Sequence, residues 1–266
     1  MPNKVILFPD YEKMKSEVEL LRTELSMLVL ERDELLYVEC RNIEMAYMLE
    51  LGSLEYRAYE AQCTYLRLKR KAELIQAKKN RQEKIELLEI EKTLDIEFAE
   101  YQMKLNELIA KMNAALDRSS LRVLSSEETG ELKRLYRRIV KALHPDLHPD
   151  IGEEKIKLFE RAVRAYENGD LDSLRIIDAM VSEETVSETR EDALKALVKE
   201  KTRLKKLIEG LKEVIQSIKD DYPYTLKEFV KDKEKMAAKK QELKEILEGY
   251  RQAADAYRSR IDEMIR

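Results

Sequence analysis

Ser125–Met180 reads SSEETGELKRLYRRIVKALHPDLHPDIGEEKIKLFERAVRAYENGDLDSLRIIDAM, and the rest of the chain is arranged around it. Both histidines of the protein fall within it. Ser125 and Ser126 suit a helix N-cap, and Glu127 and Glu128 suit the positive end of the helix dipole. Leu132, Leu135, Tyr136, Ile139 and Leu143 then recur at three- and four-residue steps, which makes one apolar stripe. Arg134, Arg137, Arg138 and Lys141 fall on the opposite face. Pro145 disfavours helical geometry in the residue before it, so this helix ends at Leu143 or His144. A polar loop with Pro149 and Gly152 leads to a second helix from about Glu153. Ile156, Phe159, Ala162, Val163 and Tyr166 share one face of it. Asn168-Gly169 is a stop signal, and Asp170 suits the cap of a third, shorter helix.

Two antiparallel helices joined by His144-Pro145-Asp146 resemble the J-domain of heat-shock-70 co-chaperones. The likeness extends past the tripeptide. Tyr136, Arg137, Arg138 and Ile139 occupy the places of the family's Tyr-Arg-Lys-Leu. Phe159, Ala165 and Tyr166 match its Phe and its Ala-Tyr pair. About a fifth of the chain is covered. The family's usual first helix is not evident, since only Leu121-Arg-Val-Leu124 precedes Ser125, and the glycine- and cysteine-rich modules of larger members are absent. The resemblance implies an atypical J-domain protein with a core of Leu135, Tyr136, Ile139, Leu143, Phe159, Ala162 and Tyr166. It implies that the His144-Pro145-Asp146 loop docks on a DnaK-type chaperone and triggers ATP hydrolysis there. Arg134, Arg137, Arg138 and Lys141 would steer the docking toward an acidic surface.

Composition bounds the remainder. Charged residues make up 39% of the chain and aromatics 6%, while Gly and Pro together number only 11 in 266 residues. So much charge with so few turn residues points to long helices and coiled coil. The expected class is all-α, with roughly 80% helix against the ~30–35% usual for globular proteins, and no sheet. A net charge of −4 gives no global bias toward nucleic acid. Cys40 and Cys63 are too few for a disulfide framework, so reduced thiols and a cytoplasmic location are expected. No apolar run is long enough for a membrane span, and Val5–Phe8 is too short for a signal peptide.

Before Ser125 three seams follow one another. Tyr11, Met14, Val18, Leu21, Leu25, Leu28, Arg32 and Leu35 form the first, with Arg32 its charged exception. Its phase is lost between Glu39 and Asn42, where a turn or kink is expected. The second uses Tyr47, Leu51, Leu54, Ala58, Ala61, Tyr65, Leu68, Ala72 and Ile75, with Gly52 allowing close approach. The third uses Leu94, Phe98, Tyr101, Leu105, Leu108, Met112 and Ala115. Together these predict an antiparallel helical hairpin or three-helix coiled coil over residues 1–118, with Val5–Phe8 as an extended arm. Residues 119–181 are the J-like module. Over 182–266, polar Ser182–Ser187 opens a helix with the seam Leu194, Leu197, Lys201, Leu204, Ile208, Leu211, Ile215 and Ile218. A turn at Asp220–Tyr224 follows. The return seam runs Leu226, Phe229, Lys233, Met236, Lys240, Leu243, Leu247, Tyr250, Ala254, Tyr257, Ile261 and Met264. A C-terminal antiparallel coiled-coil hairpin is the expectation.

His144 and Asp146 are expected to stand exposed between the helix ends, while His148-Pro149-Asp150 fills the loop. A metal site from these four side chains is not expected, because the proline-broken loop lacks helical registration and no cysteine is near. The basic run Arg67, Lys69, Arg70, Lys71, Lys78, Lys79 and Arg81 reads as a solvated face paired to acids such as Glu83, Glu86 and Glu89 rather than as a nucleic-acid surface. No nucleophile–base set or phosphate-cradling loop is present, so neither enzyme activity nor a cofactor is expected. Two functions remain open. One is an adaptor co-chaperone that recruits a DnaK-type partner and holds an unidentified client, or a second copy of itself, on its coiled coils. The other is a coiled-coil scaffold with a degenerate J-like spacer.

Overall fold

The computed structural model describes residues 9–181 and 193–266. The Val5–Phe8 arm and the Ser182–Ser187 helix start lie outside the described residues. Among the described residues 88% are helical and there is no strand. In chain order the helices are α1 (Pro9–Asp33), α2 (Arg41–Tyr47), α3 (Ser53–Asn80), α4 (Leu87–Glu97), α5 (Ala99–Ser119), α6 (Ser126–Leu143), α7 (Glu153–Asn168), α8 (Leu171–Val181), α9 (Ala193–Asp220), α10 (Lys227–Lys231) and α11 (Lys233–Ile265). None is long and apolar enough to cross a membrane.

Of the turn or kink expected near Glu39–Asn42, a turn is not what the chain forms. Glu34–Cys40 is π-helical instead, as is Met48–Gly52. A π turn holds more residues than an α turn, so it rotates the apolar stripe without breaking the helix. That explains the lost phase.

The chain forms two compact units, and their boundaries differ from the three consecutive domains expected. One unit contains Met1–Asn42 and Leu121–Thr225; the other contains Ile43–Ser120 and Leu226–Arg266. The expected C-terminal hairpin is corrected accordingly: α9 packs along α1, and α11 packs along α3. Matched heptad seams fix the spacing of apolar residues but not which seam meets which, and here the C-terminal seams find N-terminal partners.

In the first unit Glu17 pairs with Lys201, Glu24 with Lys212 and Glu31 with Lys219. Numbers rise together, so α1 and α9 run in the same direction. Such surface pairs stabilise little individually but fix register. Val18, Leu25 and Val29 of α1 join Leu204, Ile208, Leu211 and Ile215 of α9 in a single core with α6, α7 and α8. Ser125 caps α6 in a reciprocal box with Glu128, the Glu128 N–H donating to Ser125 Oγ at 3.1 Å and the Ser125 N–H to Glu128 Oε2 at 2.9 Å. Gly169 ends α7 at φ 68°, a left-handed value that glycine adopts without strain, and Asp170 Oδ1 accepts the Ser173 N–H at the start of α8.

In the second unit α4 and α5 return antiparallel along α3. Lys71 meets Glu91, Arg67 meets Asp95, and the Tyr59 and Tyr101 rings stack 6.3 Å apart. A Cβ on Gly52 would lie 3.2 Å from Met112 Cγ, so the close approach expected there occurs. α11 also belongs to this unit and runs in the same direction as α3, with Lys240 on Glu50 and Tyr65 against Tyr250 and Tyr257. Asp232 breaks the return seam and caps α11 through the Glu234 and Lys235 N–H groups. Of the basic run, Arg67, Arg70, Lys71 and Lys78 form ion pairs, with the expected Glu83 and with Glu73, Glu91, Asp95 and Glu97, which were not expected. Cys40 and Cys63 are buried free thiols.

Candidate functional site

Pro145 sets the site. It holds His144 in extended backbone, φ −66° and ψ 127°, and stops α6. The next bonds close a tight turn: the Leu147 and His148 N–H groups both donate to the His144 carbonyl at 3.0 Å. The helices on either side meet antiparallel. The Tyr136 and Tyr166 rings stack 4.1 Å apart at an interplanar angle of 7°, and the His144 ring meets Phe159 edge-on at 5.1 Å. Leu135, Tyr136, Ile139, Leu143, Phe159, Ala162 and Tyr166 are all buried, so the seven core positions read from the stripe are packed together.

His144 is not exposed, contrary to expectation. It keeps only 5% of its surface, because the aromatic core takes the ring as one of its members. Its Nδ1 accepts the Asp146 N–H at 3.1 Å, which leaves the proton of the neutral ring on Nε2. Asp146 is the part of the tripeptide that faces water, with 46% of its side chain exposed. His148 does more than fill the loop. Its Nε2 lies 2.7 Å from the Lys141 carbonyl, where the ring closes one of the open carbonyls at the end of α6. Among the described residues no group of three His, Cys, Asp or Glu side chains is placed to hold a metal ion.

The four cations divide. Arg138 grips Asp178 with two bonds of 2.8 and 2.6 Å. Arg134, Arg137 and Lys141 are exposed and make no ion pair among the described residues. Arg134 and Arg137 line a groove of about 800 Å3 whose other wall carries Glu24, Glu31 and Glu34 of the same unit. Those glutamates already bind Lys212, Lys219 and Lys133. Neither arginine forms an ion pair with them.

α1, the π-helical stretch after it and α9 supply further partners of these residues. Asp33 is fully buried and accepts the Tyr136 hydroxyl at 2.7 Å, 103 residues away in sequence. Arg32 donates to the other Asp33 oxygen through Nε at 2.8 Å and Nη2 at 2.6 Å, so the charged exception in the first seam is the partner of a buried acid. Glu34 accepts the Tyr166 hydroxyl at 2.6 Å. Burial and the facing carboxylates push the Tyr136 and Tyr166 hydroxyls well above the ordinary tyrosine range, so both stay donors. From α9, Arg203 donates to the Asp146 carbonyl at 2.8 Å.

Burial lowers the His144 pKa from its ordinary 6.5; Arg32 and His148 act in the same direction, and Asp146 and Asp33 oppose it. The unfolded chain takes this proton near pH 6.5 and the folded chain does not, so the folded state binds fewer protons. Stability is full above pH 6.5 and is lost as pH falls from there toward the lowered folded value. The urea midpoint of the first unit should drop between about pH 7 and pH 5.5, and His144→Gln should flatten that slope. An unchanged slope in the variant would remove His144 as its source.

Compared with known proteins, the chain matches no family model, no curated protein and no solved structure.

Proposed function

We propose that this chain is a J-type co-chaperone: it recruits a DnaK-type heat-shock-70 chaperone, stimulates ATP hydrolysis by that partner, and presents an unidentified client on its other helices, in the cytoplasm. One observation carries this. An exposed Asp146 carboxylate sits at a proline turn, at the end of a helix whose outer face holds the exposed cations Arg134, Arg137 and Lys141. A turn-held acid beside an exposed cationic strip suits docking onto an acidic surface, where the strip steers and the turn locks.

The test is stimulation of ATP hydrolysis by a DnaK-type chaperone from the same organism as the protein. Replacing Arg137 by alanine should weaken binding modestly and lower its salt dependence, because an exposed charge acts mainly on the rate of encounter. Binding with the same salt dependence after all three cations are replaced would rule out steering by this face.

A scaffold role for a degenerate J-like module is the second reading. It is favoured by the burial of His144 and by the hold of α9 on the turn, both of which take groups away from a visiting partner.

A further inference from the structure

The His-Pro-Asp turn satisfies most of its own backbone. Two N–H groups share the His144 carbonyl, and the Asp146 N–H meets the His144 ring. The carbonyl of Asp146 finds its partner outside the turn, at Arg203 Nη1 on α9. The rest of that guanidinium is committed. Its Nε–H and Nη2–H donate to the two carboxylate oxygens of Glu200 at 2.7 and 2.8 Å, and Arg22 of α1 approaches the same carboxylate at 3.5 Å. Arginine alone among the cations offers this: a flat fork with one edge locked on a carboxylate and a third donor aimed elsewhere. Arg203 and Glu200 are both part-buried, which shields the arrangement from water.

We propose that Arg203 is the positioning residue of the His-Pro-Asp turn: held by Glu200, it pins the Asp146 peptide, keeps the His144 ring turned inward and fixes the direction in which the Asp146 carboxylate is presented. Its structural half stands on geometry alone; its functional half rests on the J-type reading. With the carbonyl released, the Asp146 peptide rotates and the carboxylate samples other directions. The docking-competent fraction then falls, and the apparent affinity for the partner falls in proportion, while stimulation at saturating concentration is kept. Loss of the Asp146 carboxylate itself removes stimulation at any concentration, so the two defects separate.

The chain's two histidines make the turn directly observable, because 15N-histidine labelling of the full chain reports two rings only. Arg203→Gln, Arg203→Lys and Glu200→Gln are compared with Lys212→Gln, which alters an ion pair farther along α9. In the unmutated chain His144 Nδ1 should resonate as a hydrogen-bond acceptor. In Arg203→Gln that signal should shift, and the Asp146, Leu147 and His148 amides should exchange faster. Arg203→Lys should fail to rescue, since one ammonium cannot hold Glu200 and the carbonyl at the two fork positions. Glu200→Gln should show a weaker form of the same change, and Lys212→Gln none. With a DnaK-type partner, Arg203→Gln should raise the half-saturating concentration several-fold and keep the maximum. Unchanged ring signals and loop exchange in Arg203→Gln would overturn the positioning role. A loosened turn with an unchanged half-saturating concentration would overturn its functional half. Absence of stimulation by the unmutated chain would reject the J-type reading, and ring signals and exchange would still decide whether Arg203 positions the turn.

Discussion

Tyr136→Ala is expected to unfold the first unit or bring it close to unfolding. Tyr136 is fully buried between the Tyr166 ring and the Asp33 carboxylate. Removing a buried aromatic ring costs about 3–5 kcal/mol through lost burial and the cavity left behind. Removing the hydroxyl leaves a buried carboxylate short of one donor, which costs about 1–3 kcal/mol more. The sum approaches the whole stability of an ordinary domain, about 5–15 kcal/mol. Tyr136→Phe isolates the second contribution, because it keeps the ring and loses only the donor. Urea denaturation of the three proteins measures both. A Tyr136→Phe protein as stable as the original would mean that Asp33 does not depend on that hydroxyl.

A fragment covering 119–181 alone should fail to fold. Sequence patterning marks this stretch as a module, yet its core is completed from outside. Val18, Leu25 and Val29 of α1 and Leu204 and Ile208 of α9 belong to the same buried cluster as Tyr136 and Leu143. Without them the apolar faces of α6 and α7 meet water, and Tyr136 and Tyr166 lose the acceptors Asp33 and Glu34. A domain of about 60 residues has little stability to spare. Circular dichroism of the fragment should show mostly disordered chain, and helicity should return when α1 and α9 are supplied. A fragment with a cooperative melt by itself would show that α1 and α9 only decorate the module.

Local chemistry was legible in the sequence, and long-range pairing was not. The serine cap of α6, the stop at Gly169 and the seven core positions of α6 and α7 follow from spacing and turn residues within a helix or two. The second seam is likewise readable, since Leu51, Leu54, Ala58, Ala61, Ala72 and Ile75 are all buried. What spacing cannot state is the partner of a seam: Leu204 and Ile208 are apolar at heptad steps whether they face α11 or α1. The same limit hid Asp33 and Arg203, whose partners lie 103 and 57 residues away. His144 was misread for a related reason. A polar residue in a proline turn is usually wet, and only the edge-on approach of Phe159 makes this one part of a core.

The proposed co-chaperone function is tested most directly by single-turnover ATP hydrolysis in a DnaK-type chaperone, with the intact chain, Asp146→Asn and Asp150→Asn side by side. Asp146 is solvent-facing, so its replacement should leave the fold intact. The expected result is stimulation by the intact chain and by Asp150→Asn, and none by Asp146→Asn at any concentration. Equal stimulation by all three, or none by the intact chain, would contradict it.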